Sequence, residues 1–158
     1  MFPQTLGEFL VTMNKKEIKK EIIGRLEYVS IPDFDLSNIE AKIDTGAYNG
    51  AIHVSLVNQF TRDGHAWIRF VILDNAHPEF SDKVYETDEF VERRVRSSNG
   101  ELQHRYAVTM TLLLKGKEIK ATLGLSNRKD LRYPILIGRK IINRHFIVDP
   151  SKTFTDNN

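Results

Sequence analysis

The chain has 158 residues, of which 41% are hydrophobic and 28% are charged, and its formal net charge is only +2. This size and composition predict one globular domain, and so small a net charge argues against a nucleic-acid partner. Cysteine is absent, which excludes disulfides, thiolate metal ligands and a cysteine nucleophile.

The N-terminal segment differs in texture from the rest of the chain. Its apolar residues recur at helical spacing, at Leu6, Phe9, Leu10 and Met13, and the charged stretch KKEIKKE follows. We expect an N-terminal arm over residues 1–21, either helical or partly ordered. It lacks a signal-peptide pattern, and no apolar run reaches the roughly 18 residues of a membrane span. The predicted location is therefore the cytoplasm, without a membrane partner.

From Ile22 onward, short alternating runs predict β-strands. GRLEYVSIP alternates and stops at Pro32, DFDLSN predicts a turn, and IEAKID and AIHVSLV are two further strands. HAWIRFVIL is another, ended by DNAHPEFSD. KVYETDEFVERRV and HRYAVTMTLLL flank the turn-rich RSSNG, and LLLKGKEIKATLGL is a second hairpin with Lys115, Gly116 and Lys117 at its tip.

The segment YPILIGRKIINRHFIVDP is predicted to close the domain. A buried strand ends at Gly138, a short helical turn follows through Ile142, and FIVD forms the last strand. Many short strands with regular turns predict an all-β barrel or sandwich. We expect one domain over residues 22–158.

The stretch AKIDTGAYNGAIH places Asp44-Thr45-Gly46 directly after an apolar strand, which suggests the active loop of an aspartic peptidase. That chemistry needs two adjacent carboxylates that share one proton. One carboxylate acts as general base on a water, while the other donates a hydrogen bond to the scissile carbonyl. The alternative is an ordinary turn, because Asp and Gly favour turns after strands for other reasons.

Each neighbour of Asp44 has a predicted supporting role. Gly46 lets its backbone N–H approach the carboxylate, since no Cβ is in the way. The Thr45 hydroxyl can lock the loop to its partner, and Ala47 is small enough for close packing of two loops. In ILIGRKII, Gly138 is predicted to allow close backbone approach behind the loop. An ordinary buried strand is the alternative for this segment.

Taken in order along the chain, these segments resemble the retropepsin-like aspartic peptidases, and within them the bacterial and archaeal group that carries the name "ATP-dependent zinc protease". The resemblance covers most of the chain from about Ile22. It is carried by GRLEYV (24–29), AKIDTGA (41–47), the Ala-Ile-His at 51–53, RDGHAWIRF (62–70), VRSSNG (95–100), PILIGR (134–139) and FIVDPSKTF (146–154).

This resemblance implies a closed, retropepsin-like barrel with a flap hairpin and one short C-terminal helix, and it makes Asp44 the catalytic aspartate. It also places VRSSNG at the flap, with candidate substrate contacts at Ser97, Ser98, Asn99 and Gly100. The chain departs from the family's pattern at one place: Asn49-Gly50 stands where the family usually has a Thr-Ser pair. A hydroxyl pair behind the catalytic loop is therefore lost.

Only one Asp-Thr/Ser-Gly is present, so a catalytic pair requires two chains. We expect a symmetric homodimer with both Asp44 side chains on the twofold axis. The predicted function is an aspartic endopeptidase that acts on a peptide or protein. A non-catalytic peptide-binding or adaptor module on the same fold is the alternative, followed by a metal-dependent protease.

Metal and nucleotide motifs are missing. The chain has no HExxH, and its five histidines lie far apart, so we predict no metal site and no cofactor. A structural role is favoured over a catalytic one for His53, which follows the active loop. No phosphate-binding GxxxxGK[ST] is present, so a link to ATP would come through a partner such as an ATP-grasp ligase.

Overall fold

The computed structural model describes residues 19–155. Residues 1–18 of the predicted N-terminal arm therefore lie outside the described part of the chain. Within the described part, no helix has the length and apolar character needed to cross a lipid bilayer.

Residues 19–155 form mostly short strands. They are β1 (Glu21–Ile23), β2 (Leu26–Ile31), β3 (Leu36–Ile43), β4 (Gly50–Arg62), β5 (His65–Ile72), β6 (Tyr85–Thr87), β7 (Val91–Arg96), β8 (Leu102–Leu114), β9 (Lys117–Ser126), β10 (Ile135–Ile137) and β11 (Phe146–Val148). A 3-10 turn spans Pro32–Phe34, and one helix, α1, spans Arg139–His145.

The short strand β10 closes the main sheet into a barrel. It pairs in parallel with β3 and antiparallel with β4, so the pairings run around a ring in the order β10, β3, β2, β8, β9, β4 and back to β10. Closure leaves no free edge within the ring. The prediction of an all-β, closed barrel with one short C-terminal helix is confirmed.

Side-chain alternation explains which faces line the barrel interior. In β3, Ile39, Ala41 and Ile43 point inward and are buried, as the alternating pattern predicts. The two longest strands, β4 and β8, belong to the barrel over only part of their length. The barrel contains the first part of β4 and the last part of β8, and the rest of each strand extends beyond it. Outside the barrel β4 pairs with β5, and β8 pairs with β7. Two hairpins therefore extend the sheet outside the ring, and one of them packs Ile68 and Phe70 of β5 into the core.

Three local predictions needed adjustment. The predicted turn DFDLSN is shorter, because Asp35 adopts a left-handed conformation with φ of 54° after the 3-10 turn and β3 begins at Leu36. The run before RSSNG breaks into β6 and β7, and α1 continues to His145 rather than ending at Ile142. The second predicted hairpin is present, but its connection has two residues, Lys115 and Gly116 with φ of 53° and 73°, because Lys117 already belongs to β9.

A buried carboxylate fastens the C-terminal segment to the barrel. Glu27 on β2 is 0% exposed, and it accepts hydrogen bonds from the backbone N–H of Gly24 (3.0 Å) and from the N–H and hydroxyl of Thr155 (both 2.6 Å). Nearby, the Phe154 ring stacks on Tyr28 with centroids 4.4 Å apart. These contacts bring together residues from opposite ends of the described chain.

We expect Glu27→Ala to lower the free energy of unfolding by about 2 kcal/mol, because three donors lose their acceptor and a buried donor without a partner is costly. Urea unfolding of the purified chain measures this difference. Glu40→Ala, on the exposed face of β3, is the matched control and should change stability by less than about 0.5 kcal/mol. Equal losses for the two variants would contradict a role of Glu27 in the fold.

Candidate active site

Asp44 lies directly after β3, in a loop that two neighbouring segments hold at its start. The Asp44 N–H donates to the carbonyl oxygen of Ile137 at 2.8 Å, at the end of β10. The preceding N–H, of Ile43, donates to the carbonyl oxygen of Arg25 at 2.9 Å. The position of Asp44 is therefore fixed by backbone contacts on both sides.

The loop also orients the carboxylate. The Gly46 N–H donates to Asp44 Oδ1 at 2.8 Å, and the Ala47 N–H donates to the Asp44 carbonyl oxygen at 3.3 Å. A Cβ at Gly46 would lie 3.2 Å from Oδ1, so the predicted need for a small residue there has a geometric basis. Within residues 19–155, Oδ2 has no hydrogen-bond donor, and the side chain is half-exposed. One carboxylate oxygen is thus held, and the other is without a donor in the described residues.

Gly138 packs against the outgoing half of the same loop. A Cβ at this position would lie 2.7 Å from the carbonyl oxygens of both Tyr48 and Asn49. The first helical residues, Arg139 and Lys140, donate their N–H groups to Ala47 and Tyr48 at 2.8 and 3.0 Å. The close backbone approach predicted for Gly138 is what the structure contains.

The remaining loop residues lie as follows. Thr45 is exposed, its carbonyl oxygen accepts a hydrogen bond from Arg139 Nη1 at 3.0 Å, and its hydroxyl has no partner in the described residues. The predicted contact between the Thr45 hydroxyl and the loop of a partner subunit stays a prediction. At Gly50, a Cβ would lie 2.7 Å from the Leu136 carbonyl oxygen and 2.6 Å from Leu123 Cδ2. This packing leaves no room for a side chain at position 50, where the chain departs from the Thr-Ser pair of the family.

The four candidate flap residues lie together at the tip of the β7–β8 hairpin. The tip is ordered by hydrogen bonds from the Ser97 N–H to the Glu101 carbonyl oxygen (2.8 Å) and from the Gly100 N–H to the Ser97 carbonyl oxygen (2.9 Å). The Ser97 hydroxyl also contacts the Asn99 side chain, and Gly100 has φ of 85°. Ser98, Asn99 and Gly100 are exposed, and their contact with substrate stays a prediction.

His53 joins three segments behind the active loop. It is only 5% exposed, its Nδ1 accepts the Arg128 N–H at 2.8 Å, and its Nε2 lies 2.6 Å from Asp74 Oδ2. The acceptor role of Nδ1 assigns the proton to Nε2, which donates to the carboxylate. The hydrogen bond from the Ala76 N–H holds the pKa of Asp74 below its usual range, and the hydrogen bond from His53 adds to this effect. These contacts are those of a structural histidine.

Sequence reasoning missed Arg128, which lies in the segment between β9 and β10. Its guanidinium is half-buried, and Nε donates to the Tyr133 carbonyl oxygen at 3.2 Å. Burial lowers the pKa of Arg128, and the negative charge of Asp44 partly offsets this effect. The run NRKDLRY, rich in basic residues just before PILIGR, was the available signal.

The described residues do not fit the zinc that the name of the resembling group implies. Among residues 19–155, no three His, Asp or Glu side chains come together as a potential metal-binding group. Such a site normally needs at least three protein ligands. We therefore derive no chemical step through a metal.

Comparison with known families places this geometry in context. The family model described as "RimB-like: Retropepsin-like aspartic endopeptidase RimB" matches residues 22–158. A crystal structure of Lpg0085 from Legionella pneumophila, described as a protein with unknown function (DUF785), superposes with a TM-score of 0.69 and 29% identity. That superposition covers 88% of this chain and 100% of Lpg0085.

Curated relatives carry a different name. A "Probable alpha-L-glutamate ligase" of Shewanella halifaxensis is 33% identical over 139 residues, which are 85% of this chain and 30% of that protein. A protein of the same name from Desulfotalea psychrophila is 31% identical over 140 residues, covering 86% of this chain and 29% of that protein. The chain thus spans less than a third of the length of these relatives.

Proposed function

Because the chain belongs to the RimB-like family of retropepsin-like aspartic endopeptidases, we propose that it hydrolyses peptide bonds with two Asp44 carboxylates, one from each subunit of a homodimer. The observation that carries this proposal is the Asp44 turn. Its carboxylate is half-exposed, one oxygen is held by the Gly46 N–H, and backbone contacts fix the loop on both sides.

In the proposed mechanism the two carboxylates share one proton, since like charges at such a distance do not both ionise readily. The ionised carboxylate takes a proton from a water, whose oxygen attacks the scissile carbonyl carbon. The protonated carboxyl group gives its proton to the carbonyl oxygen. Collapse of the tetrahedral intermediate then breaks the C–N bond, and the amine leaves with a proton returned from the pair. The pair titrates as one unit.

Exposed surface around the loop supports the homodimer. Thr45 and Gly46 are exposed, so two such loops can meet across a twofold axis. Ile22 of β1 and Ile147 of β11 are register partners, and they are 48% and 56% exposed. This apolar pair belongs to the small sheet formed by β1 and β11. After β1 the chain continues through Gly24 to Arg25, whose carbonyl oxygen accepts the Ile43 N–H at the start of the Asp44 loop. A second subunit would cover it.

An acidic peptide is the substrate class that the charges favour. The arms of the β7–β8 hairpin carry exposed arginines at Arg93, Arg94, Arg96 and Arg105. The hairpin has two acidic side chains, Glu101 at its tip and Glu92, which lies 2.5 Å from His104 and 3.9 Å from Arg94. If this hairpin is the flap, it presents excess positive charge to a bound peptide.

The names of the curated relatives denote a ligase and not a peptidase, but they favour glutamate as a residue of the substrate. A segment similar to this chain makes up about 30% of a protein called an alpha-L-glutamate ligase. We therefore propose that the substrate contains α-linked glutamate residues of the kind that such a ligase joins. The predicted functional link to an ATP-grasp ligase would then connect formation and hydrolysis of the same bonds.

Digestion of matched peptides tests this function. One peptide carries a run of α-linked glutamates and the other carries glutamines at the same positions, and both are incubated with the purified chain between about pH 4 and pH 8. We expect cleavage of the glutamate peptide, detected by mass spectrometry, with activity that follows the dimer fraction measured by sedimentation. Cleavage by a strict monomer would contradict the shared Asp44 pair.

Two other outcomes would assign a different function. Tight binding of the glutamate peptide without any cleavage would make the protein a peptide-binding module on the same fold. Cleavage that stops on addition of a chelator and returns with zinc would instead indicate a metal-dependent protease.

A further inference from the structure

A cavity of about 170 Å³ opens beside the segment that joins β9 to β10. Its lining includes the cationic side chains Arg128, Lys129 and Arg132. One carboxylate also lines it, that of Asp74, but this group is already occupied by His53 at 2.6 Å and by the Ala76 N–H at 2.8 Å. The cavity, called here the Arg128 cavity, therefore has an excess of positive charge.

Arg128 is the member of this group that is both half-buried and without an anion. Its Nε is satisfied by the Tyr133 carbonyl oxygen, but its terminal nitrogens have no acceptor in the described residues. No carboxylate of residues 19–155 lies within 4.0 Å of it, whereas other cations of the chain do form such pairs. Among the described residues only Arg69 Nε is a buried side-chain polar atom without a partner, so the free donors of Arg128 stay accessible to a ligand from the cavity. This arrangement suits a ligand carboxylate.

The position of Arg128 is fixed on both sides. Its own N–H donates to His53 Nδ1 at 2.8 Å, and the Pro134 carbonyl oxygen accepts the His53 N–H at 2.8 Å. Both ends of the cationic segment are therefore attached to β4. A side chain mounted in this way can present a fixed donor pair to a carboxylate, which is the geometry that guanidinium groups favour.

The Arg128 cavity is joined to the candidate catalytic loop through β10. Pro134 lines the cavity and directly precedes β10, and the carbonyl oxygen of the last residue of β10, Ile137, accepts the Asp44 N–H. At about 3.3 Å per residue, an extended peptide that lies across Asp44 spans the roughly 10 Å from Ile137 to Pro134 with about three residues. The lining of this cavity also includes the apolar side chains Leu73 and Leu131, which suit the methylene part of an acidic side chain.

We propose that the Arg128 cavity is a substrate subsite that receives a carboxylate side chain next to the cleaved bond, with Arg128 as the residue that selects Glu over Gln. This inference rests on the proposed function, because it assumes that a peptide lies across Asp44. It goes beyond that function by assigning the selectivity to a single side chain in the β9–β10 segment rather than to the basic β7–β8 hairpin.

The test compares kcat/KM for two peptides that differ only by Glu or Gln at one position, varied in turn on each side of the cleaved bond. At the position that enters the cavity, we expect the unaltered chain to prefer Glu by about tenfold or more, the usual value of a hydrogen bond to a charged group. Arg128→Gln should bring this ratio close to one while the Gln peptide is still cleaved. Arg128→Lys should retain part of the preference, since a point charge replaces the two-pronged donor.

Arg144→Gln is the matched control, because it removes the same charge from an exposed position on α1. It should leave the preference unchanged. Melting curves verify that each variant is folded, and Arg128→Lys keeps the test valid if Arg128→Gln does not fold. A folded Arg128 variant that retains the full preference for Glu would overturn the proposal, as would an equal loss in Arg144→Gln.

Failure of the proposed function gives a different result. In that case the unaltered chain cleaves neither peptide, and the same variants are compared by calorimetric binding of the two peptides. Loss of the Glu preference in binding on Arg128→Gln would support the subsite even without catalysis. Equal binding by the unaltered chain and Arg128→Gln would overturn it.

Discussion

Asp44→Asn should lower kcat/KM for peptide cleavage by roughly 10³-fold or more while leaving the fold intact, because an amide can neither take a proton from water nor share one with its partner. The side chains are nearly equal in size, and the Asn oxygen can still accept the Gly46 N–H that Asp44 Oδ1 accepts at 2.8 Å. Stability and dimer content should therefore change little. Steady-state kinetics on the glutamate peptide, with sedimentation of the same samples, measures both quantities.

Asp63→Asn is the matched control for this change. Asp63 lies in the turn between β4 and β5, is exposed, and has φ of 51°, a conformation that Asn also tolerates. Its activity should equal that of the unaltered chain. Mixing unaltered chains with an excess of the Asp44→Asn chain should also reduce activity, because mixed dimers contain only one carboxylate. Full activity of Asp44→Asn would remove this residue from the mechanism.

Gly138→Ala should lower the free energy of unfolding by about 3 kcal/mol and impair cleavage, because the added methyl group meets backbone atoms that have little freedom to move. The Cβ would lie 2.7 Å from the carbonyl oxygens of Tyr48 and Asn49, both within the loop that carries Asp44. Relief of this contact must displace either the loop or the start of α1. Urea unfolding and kinetics on the same sample measure the two effects.

Gly124→Ala provides the comparison for a glycine that has room. Gly124 lies on β9, next to Gly50 of β4. A Cβ at Gly124 would lie 3.6 Å from the Gly50 carbonyl oxygen, which is an ordinary van der Waals distance. Neither Gly124 nor Gly138 has a positive φ, so the two substitutions differ in steric contact and not in backbone strain. Equal stability losses for both would show that the close approach at Gly138 does not matter.

The sequence by itself determined most of the strands and the nature of the candidate loop. Alternation placed Ile39, Ala41 and Ile43 on one buried face, and the stretch Lys115-Gly116-Lys117 marked the tip of a hairpin. The chemistry of Asp, Thr and Gly after an apolar strand then identified Asp44 as the group to examine. These signals are local, because side-chain periodicity and turn conformation depend on residues only a few positions apart.

Only the tertiary structure decided which distant segments meet. The sequence predicts β10 as a buried strand but does not identify its partners, and it closes the barrel by pairing with both β3 and β4. The contacts of Glu27 with Thr155 span 128 positions, and that of His53 with Arg128 spans 75. Such contacts follow from barrel closure and not from neighbouring residues, so only the folded chain shows that Arg128 is held by His53 and lines a cavity.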